Sequence, residues 1–251
     1  MPRDVSSLGK LKTLSLFIVG IGKGYGIEEL KDLNLLGDDE EHQHYQPDDL
    51  CNNFLSEIEI SHCHSLTSLP AFRGLNAMTY LKIEECRSLQ SLPDGIQYLP
   101  ALRTLTIGGF SRDLVSFPFP EASGSDGEQY FVSLRELKIC GWPTLRDVLP
   151  EQLQLISSLQ CFTITGFPCL LSLPEWFGVF SSLQTLDIYN CQELKYLPSA
   201  EQMLRLTSLK KLNIRYCPLL QKRCRNEELH KIAHLPQGFS PLSLSSRFFL
   251  S

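Results

Sequence analysis

The stretch Leu183–Pro198, LQTLDIYNCQELKYLP, carries four apolar side chains at fixed intervals: Leu183, Leu186, Ile188 and Cys191, at offsets 0, 3, 5 and 8. The same template occurs six more times. It reads Leu55, Ile58, Ile60, Cys63; then Met78, Leu81, Ile83, Cys86; then Leu102, Leu105, Ile107, Phe110. Leu134, Leu137, Ile139, Trp142 and Leu159, Phe162, Ile164, Phe167 precede the quoted copy, and Leu209, Leu212, Ile214, Cys217 follow it. All 28 positions are apolar, where a composition that is 43% hydrophobic gives about 12 by chance. The offset-5 residue is isoleucine in every copy.

Successive copies start 23, 24, 32, 25, 24 and 26 residues apart, and five of these six spacings fall within the range of leucine-rich repeats. Offsets 3 and 5 alternate with polar residues, so this part of each copy predicts a short strand with one buried face. An apolar residue followed by proline marks the second half, as in Leu69-Pro70, Leu92-Pro93, Phe117-Pro118, Leu149-Pro150, Leu173-Pro174 and Leu197-Pro198. Proline lacks the N–H that a continuing ladder needs, so the chain turns away there. A single coil cannot bury its apolar face, and stacked coils make a continuous core. The predicted fold class is α/β: a leucine-rich-repeat solenoid, or horseshoe, with a parallel β-sheet on the concave face and mostly irregular convex connections.

Working outward, residues 54–220 hold the seven regular repeats. Before them the pattern weakens. Leu11, Leu14, Leu16 and Val19 fit one coil and Leu30, Leu33 and Leu35 a truncated second, so residues 1–36 read as divergent N-terminal repeats. Residues 37–53 are acidic and non-periodic, and read as a linker loop. Glu121–Gln129, EASGSDGEQ, reads as a flexible acidic excursion within the 32-residue spacing. Residues 221–236 read as a C-terminal cap, with a short helix over Gln221–Leu235, and 237–251 as a disordered tail.

Composition removes several function classes. The 251 residues carry 20% charged side chains and a net charge of −5, which opposes a general nucleic-acid binder. The longest apolar run, around Leu14–Ile21, is broken by glycine and is shorter than the roughly 20 residues of a membrane span. The start, Met-Pro-Arg-Asp, has no signal-peptide apolar region. Nine cysteines, an odd number, occur without any C-x-x-C, and no N-x-S/T sequon is present. A reducing, cytoplasmic setting without disulfides is the plainest reading.

Candidate chemistry is thin. Gly20–Gly26 (GIGKGYG) follows an apolar run, but it matches neither the dinucleotide fingerprint nor the P-loop, since Lys23 is followed by Gly24. A turn is the better account. His62-Cys63-His64 has metal-ligand chemistry, but Cys63 occupies the repeat's offset-8 position and is expected inside. His230 and His234 are spaced four apart on a possible helix, without a third ligand nearby. Cys140 and Cys161 fall at outward strand offsets, where a thiol is open to reaction. Cys51, Cys169 and Cys224 lie in connections. No hydrolase signature is present. The expectation is no enzyme, no cofactor and no bound metal.

What remains is surface, and the concave strand positions of a solenoid are where partners bind. The candidate partner-binding residues are Tyr80, Lys82, Glu84, Arg103, Arg135, Lys138, Asp187, Tyr189, Lys210, Lys211, Asn213, Arg215 and Tyr216. Tyr and Arg are frequent binding anchors. Charge is polarised along the chain. Glu28–Glu59 holds 11 acidic residues and one basic, whereas Arg205–Lys231 holds eight basic and two acidic. A basic end, including Lys210, Lys211, Arg215, Lys222 and Arg223, suits an acidic partner surface.

Three segments resemble the C-terminal leucine-rich-repeat region of plant intracellular immune receptors, the coiled-coil NB-ARC-LRR disease-resistance proteins of the RGA type. They are the repeat form of Leu183–Pro198, the opening LKTLSLFIVGIGKGYGIEELKDLNLL at Leu11–Leu36, and the ending CPLLQKRCRNEELHKIAHLP at Cys217–Pro236. The resemblance implies a non-catalytic protein-interaction module of defence. Its implied partners are a pathogen effector or guarded host protein, and an NB-ARC domain that it restrains. Neither a P-loop nor a coiled-coil domain is visible in this sequence, and the join at Leu36–Asn53 is abrupt. The chain therefore reads as a fragment, a truncated gene product or a stand-alone repeat protein. The rival reading is a truncated or degenerate repeat protein with no specific partner.

Overall fold

The computed structural model describes residues 13–14, 55–72, 74–120, 130–146 and 149–235. The readings of the glycine run, the 37–53 linker, the Glu121–Gln129 excursion, Cys51 and the 237–251 tail lie outside these residues.

Eight strands form one parallel sheet whose spatial order is the chain order. They are β1 (Thr13–Leu14), β2 (Glu57–Ser61), β3 (Tyr80–Glu84), β4 (Thr104–Gly108), β5 (Glu136–Cys140), β6 (Cys161–Thr165), β7 (Thr185–Tyr189) and β8 (Lys211–Arg215). From β2 to β8 the register is unbroken, so the offset-5 isoleucines stack in one line from Ile60 to Ile214. The long 32-residue spacing does not disturb it: Thr104 still faces Glu136, so the extra length lies in the connection between β4 and β5. Each strand is short because every coil must turn to reach the next layer.

All four repeat positions are buried in all seven repeats. Fully burying a Leu, Ile or Phe contributes about 1.5–3 kcal/mol, so the stacked rows supply most of the fold's driving force. The offset-8 cysteines do more than fill space. Cys191 and Cys217 sit in adjacent coils, and the Cys191 backbone N–H points at Cys217 Sγ, 3.4 Å away. Each thiol in turn donates to a carbonyl at the end of its own strand, Cys191 to Tyr189 (3.4 Å) and Cys217 to Arg215 (3.3 Å). A small side chain that both accepts and donates satisfies backbone groups where strand pairing ends. In the middle coils the same position holds Phe110, Trp142 and Phe167. These join Phe117 in an aromatic spine, with Phe117 5.4 Å from Trp142 and 6.0 Å from Phe167.

Past four of the Leu-Pro or related steps, at Pro93, Pro150, Pro174 and Pro198, the convex side is made of short helical turns. Three 3₁₀ segments cover Ile96–Tyr98, Glu151–Leu155 and Glu175–Val179, and Ala200–Arg205 forms α1, capped by the Ser199 hydroxyl. Each sends one or two side chains inward; Leu153, Phe177 and Met203 are fully buried. The chain then closes with α2 (Pro218–Arg223) and α3 (Leu229–Ile232). The sequence suggests one helix from Gln221, whereas helix begins at Pro218, since proline suits the first helical turn. It breaks before Leu229. Glu228 is 3% exposed and joins this end to the last repeats. Its carboxylate accepts from the Leu197 N–H (3.0 Å) and from Lys231 Nζ (2.8 Å). No helix among the described residues is long and apolar enough to cross a membrane.

Candidate protein-binding face

Because the side chains at offsets 2, 4 and 6 point away from the core, the fixed register arranges them in three rows across the sheet. The first runs Glu57, Tyr80, Thr104, Glu136, Cys161, Thr185, Lys211. The second runs Glu59, Lys82, Thr106, Lys138, Thr163, Asp187, Asn213. The third runs Ser61, Glu84, Gly108, Cys140, Thr165, Tyr189, Arg215. Of the sequence candidates, Tyr80, Lys82, Glu84, Lys138, Asp187, Tyr189, Lys211, Asn213 and Arg215 stand in these rows. Arg103, Arg135 and Lys210 lie one residue before their strands and are exposed at the edge where the strands begin.

The N-terminal half of the face is tied to itself. Lys82 Nζ lies 2.9 Å from Glu59 and 3.5 Å from Glu84, and Lys138 Nζ lies 2.7 Å from Glu84. Glu84 reaches Lys138 across β4 because Gly108, between them in the third row, has no side chain. Burial works against ionisation of Glu84, but Lys138, Cys140 and Lys82 outweigh it and hold the carboxyl below its usual value. The hydrogen bond that Lys82 donates to Glu59 likewise holds Glu59 down and raises Lys82.

A carboxylate whose pKa falls on folding stabilises the fold fully above its ordinary value of 4.5, and the contribution is lost as pH drops through the folded value. Glu84→Gln is expected to cost about 1–3 kcal/mol at neutral pH, since it weakens charge-assisted hydrogen bonds of a largely buried group. The difference from the native chain should narrow below about pH 4. Urea melts at pH 7 and pH 3 check both parts.

The C-terminal half is differently populated. Asn213 donates to Asp187 (2.6 Å), the Arg215 guanidinium lies 6.0 Å from the centre of the Tyr189 ring, and Lys210 donates to Gln184 (3.3 Å). None of Lys210, Lys211, Arg215, Lys222 and Arg225 pairs with a carboxylate among the described residues. The basic residues Arg205, Arg223 and Lys231 do, with Glu201, Glu227 and Glu228.

Residues 143–217 match the family model described as R13L1/DRL21 LRRs. Disease resistance protein RPS4B of Arabidopsis thaliana is 27% identical over 201 residues, covering 78% of this chain. Both are likenesses to leucine-rich repeats of the plant disease-resistance type. The chain spans 16% of the length of that relative. The solved leucine-rich repeat domain of the type III effector XopL aligns with 70% of this chain and 66% of its own, at 26% identity and a TM-score of 0.47.

Several sequence readings of these repeats are corrected. Tyr216 does not stand on the strand face. It follows β8 in a left-handed conformation (φ 56°) and is 69% exposed at the rim where the strands end. The same conformation recurs at the equivalent offset 7 in His62, Glu85, Gly109, Gly166 and Asn190, so a left-handed turn ends nearly every strand. Gly109, Gly166 and Asn190 are residues suited to it, whereas Gly141 at the same offset does not adopt it. Cys140, expected to be open to reaction, is buried with Sγ 3.1 Å from Glu84, and burial pushes its thiol up to about 12. Cys161 is half-buried, and burial raises it too. Cys63 is buried while His62 and His64 are exposed. His230 lies in α3 but His234 lies beyond it, so the two do not share a helix. No group of three or more His, Cys, Asp or Glu able to hold a metal occurs among the described residues.

Proposed function

We propose that this chain is a non-catalytic recognition module of plant defence that binds an acidic protein surface through the C-terminal half of its concave face. The repeat type and the likeness to a disease resistance protein support a protein-interaction module. The observation that carries the finer reading is the contrast between the two halves of the face. Glu59, Lys82, Glu84 and Lys138 neutralise one another, whereas Lys210 and Lys211 at the start of β8, and Arg215 beside Tyr189 at its end, have no carboxylate partner among the described residues. Cations left unpaired beside aromatic side chains are available to an incoming acidic surface, and long-range attraction speeds that encounter.

The partners proposed are a pathogen effector or guarded host protein, and the NB-ARC domain of a resistance protein, which such contact would hold in restraint. The setting proposed is the cytoplasm. The test is a pull-down of a purified NB-ARC domain by the chain and by its Lys210→Glu, Lys211→Glu, Arg215→Glu variant. Reversal is expected to weaken binding about 100-fold, since each close charge pair lost is worth more than 1 kcal/mol. Equal capture by both proteins removes the basic end from the account.

A further inference from the structure

A pocket of about 240 Å³ opens beside the ends of β3, β4 and β5, on the rim of the sheet and away from the basic C-terminal strands. Its origin is countable. In six of the seven repeats a buried leucine stands at offset 11 (Leu66, Leu89, Leu145, Leu170, Leu194, Leu220), but in the repeat beginning at Leu102 the leucine is Leu114, at offset 12. One extra residue is therefore inserted after Phe110. The backbone shows the shift: Leu89 N–H donates to Cys86 and Leu145 N–H to Trp142, both offset-8 residues, while Leu114 N–H donates to Ser111, one place later. The bulge turns Ser111 inward and leaves Arg112 exposed at the pocket's edge.

Three features give the pocket a chemistry. Its floor is backbone, because Gly109 and Gly141 present no side chains; a Cβ on Gly109 would lie 2.9 Å from Glu85 Oε1 and one on Gly141 2.3 Å from the Gly166 carbonyl. Its wall is aromatic and fixed: the Trp142 indole N–H donates to the Leu114 carbonyl (2.8 Å) and its ring packs 5.6 Å from Phe110. Its rim carries Arg87, Arg112 and Glu85. Glu85 is engaged with Arg87, whose Nε and terminal nitrogen lie 3.3 and 3.2 Å from Oε2. Asp113, the next residue after Arg112, accepts from the Ser111 hydroxyl (3.4 Å) and does not line the pocket. Arg112 has no ion-pair partner among the described residues, so the rim carries one net positive charge beside an aromatic wall.

We propose that this pocket seats an acidic side chain of a protein partner, with Arg112 gripping the carboxylate and the methylenes of the seated side chain meeting the small exposed edge of Trp142. The planar guanidinium suits two parallel hydrogen bonds to a carboxylate. Glu85 opposes a second anion at the Arg87 side, which limits the site to one acidic group. This site stands independently of the concave-face reading, because its residues are different and so is its readout.

The chain contains two tryptophans, Trp142 in the pocket and Trp176 outside it, and their indole N–H resonances in a ¹⁵N-labelled sample report separately. The probe is the peptide acetyl-Ala-Glu-Phe-Ala-Ala-amide, with its Glu-to-Gln twin as control. The Glu peptide should move the Trp142 resonance saturably at millimolar concentration or below and leave Trp176 in place. The Gln twin should bind about tenfold more weakly, and Arg112→Gln should weaken the Glu peptide by a similar factor, as expected for loss of a charge-assisted contact. An unmoved Trp176 resonance in Arg112→Gln shows that the variant is folded. A Trp142 resonance that stays still at millimolar peptide, or that responds equally to both peptides, overturns the proposal.

Discussion

Gly108→Ala is expected to lower the unfolding free energy by about 3–5 kcal/mol, the combined cost of a strained backbone and a forced separation of packed strands. Gly108 ends β4 at φ +142°, a conformation that L side chains rarely adopt. A Cβ there would lie 1.9 Å from the Cys140 carbonyl oxygen, which accepts the Gly109 N–H (3.1 Å) in the ladder joining two coils. Backbone cannot move aside as a flexible side chain does, so β4 and β5 must part. The substitution also places a methyl between Glu84 and Lys138. In a solenoid the loss does not stay local, because each coil is stabilised by its neighbours, and opening one interface weakens the array on both sides. Thermal unfolding should fall by about 10 °C. A change under 2 °C would show that the close approach is not as the structure has it.

Glu228→Ala is the second large effect, at about 3 kcal/mol, because breaking a buried pair leaves the remaining charge without its partner. Lys231 would keep the Leu197 carbonyl (3.2 Å) but lose the carboxylate, and the Leu197 N–H would lose its acceptor. The contact joins residues 31 apart, tying the terminal helices to the coil that begins at Leu183. Hydrogen exchange should therefore rise first in α2, α3 and β8, the end of the array, while β3 and β4 stay protected. Glu228→Gln retains one acceptor and should cost less than alanine. Equal protection in the native chain and Glu228→Ala would mean that the end of the array does not depend on this carboxylate.

The core was legible because its rule is periodic. A template read from Leu183 to Cys191 names 28 of the side chains buried between coils, and the insertion near Glu121–Gln129 left the register intact. The concave face was legible as a set of positions but not as a set of relations. Whether Lys138 is free or held depends on Glu84, 54 residues earlier, and on Gly108 between them, so three repeats must be aligned before the pairing shows. Cys140 was misread for the same reason: its offset is outward, yet the glycine gap lets Glu84 lie over it. Glycine at 109 and 166 and asparagine at 190 suit the left-handed turns, but the same conformation at His62, Glu85 and Tyr216 carries no residue signature. Glu228 gave no sign at all, since a glutamate three residues before a lysine reads as an ordinary exposed helical pair.

Binding by the C-terminal half of the concave face, as proposed, is open to photo-crosslinking, with a benzophenone side chain placed at Tyr189 in one protein and at Tyr80 in another, each irradiated with the NB-ARC domain. Both positions lie in outward rows of the same sheet, so exposure of the probe is comparable and only the location differs. Adducts from position 189 and few or none from position 80 are predicted. Adducts from position 80 alone would place the partner on the ion-paired half and contradict the account.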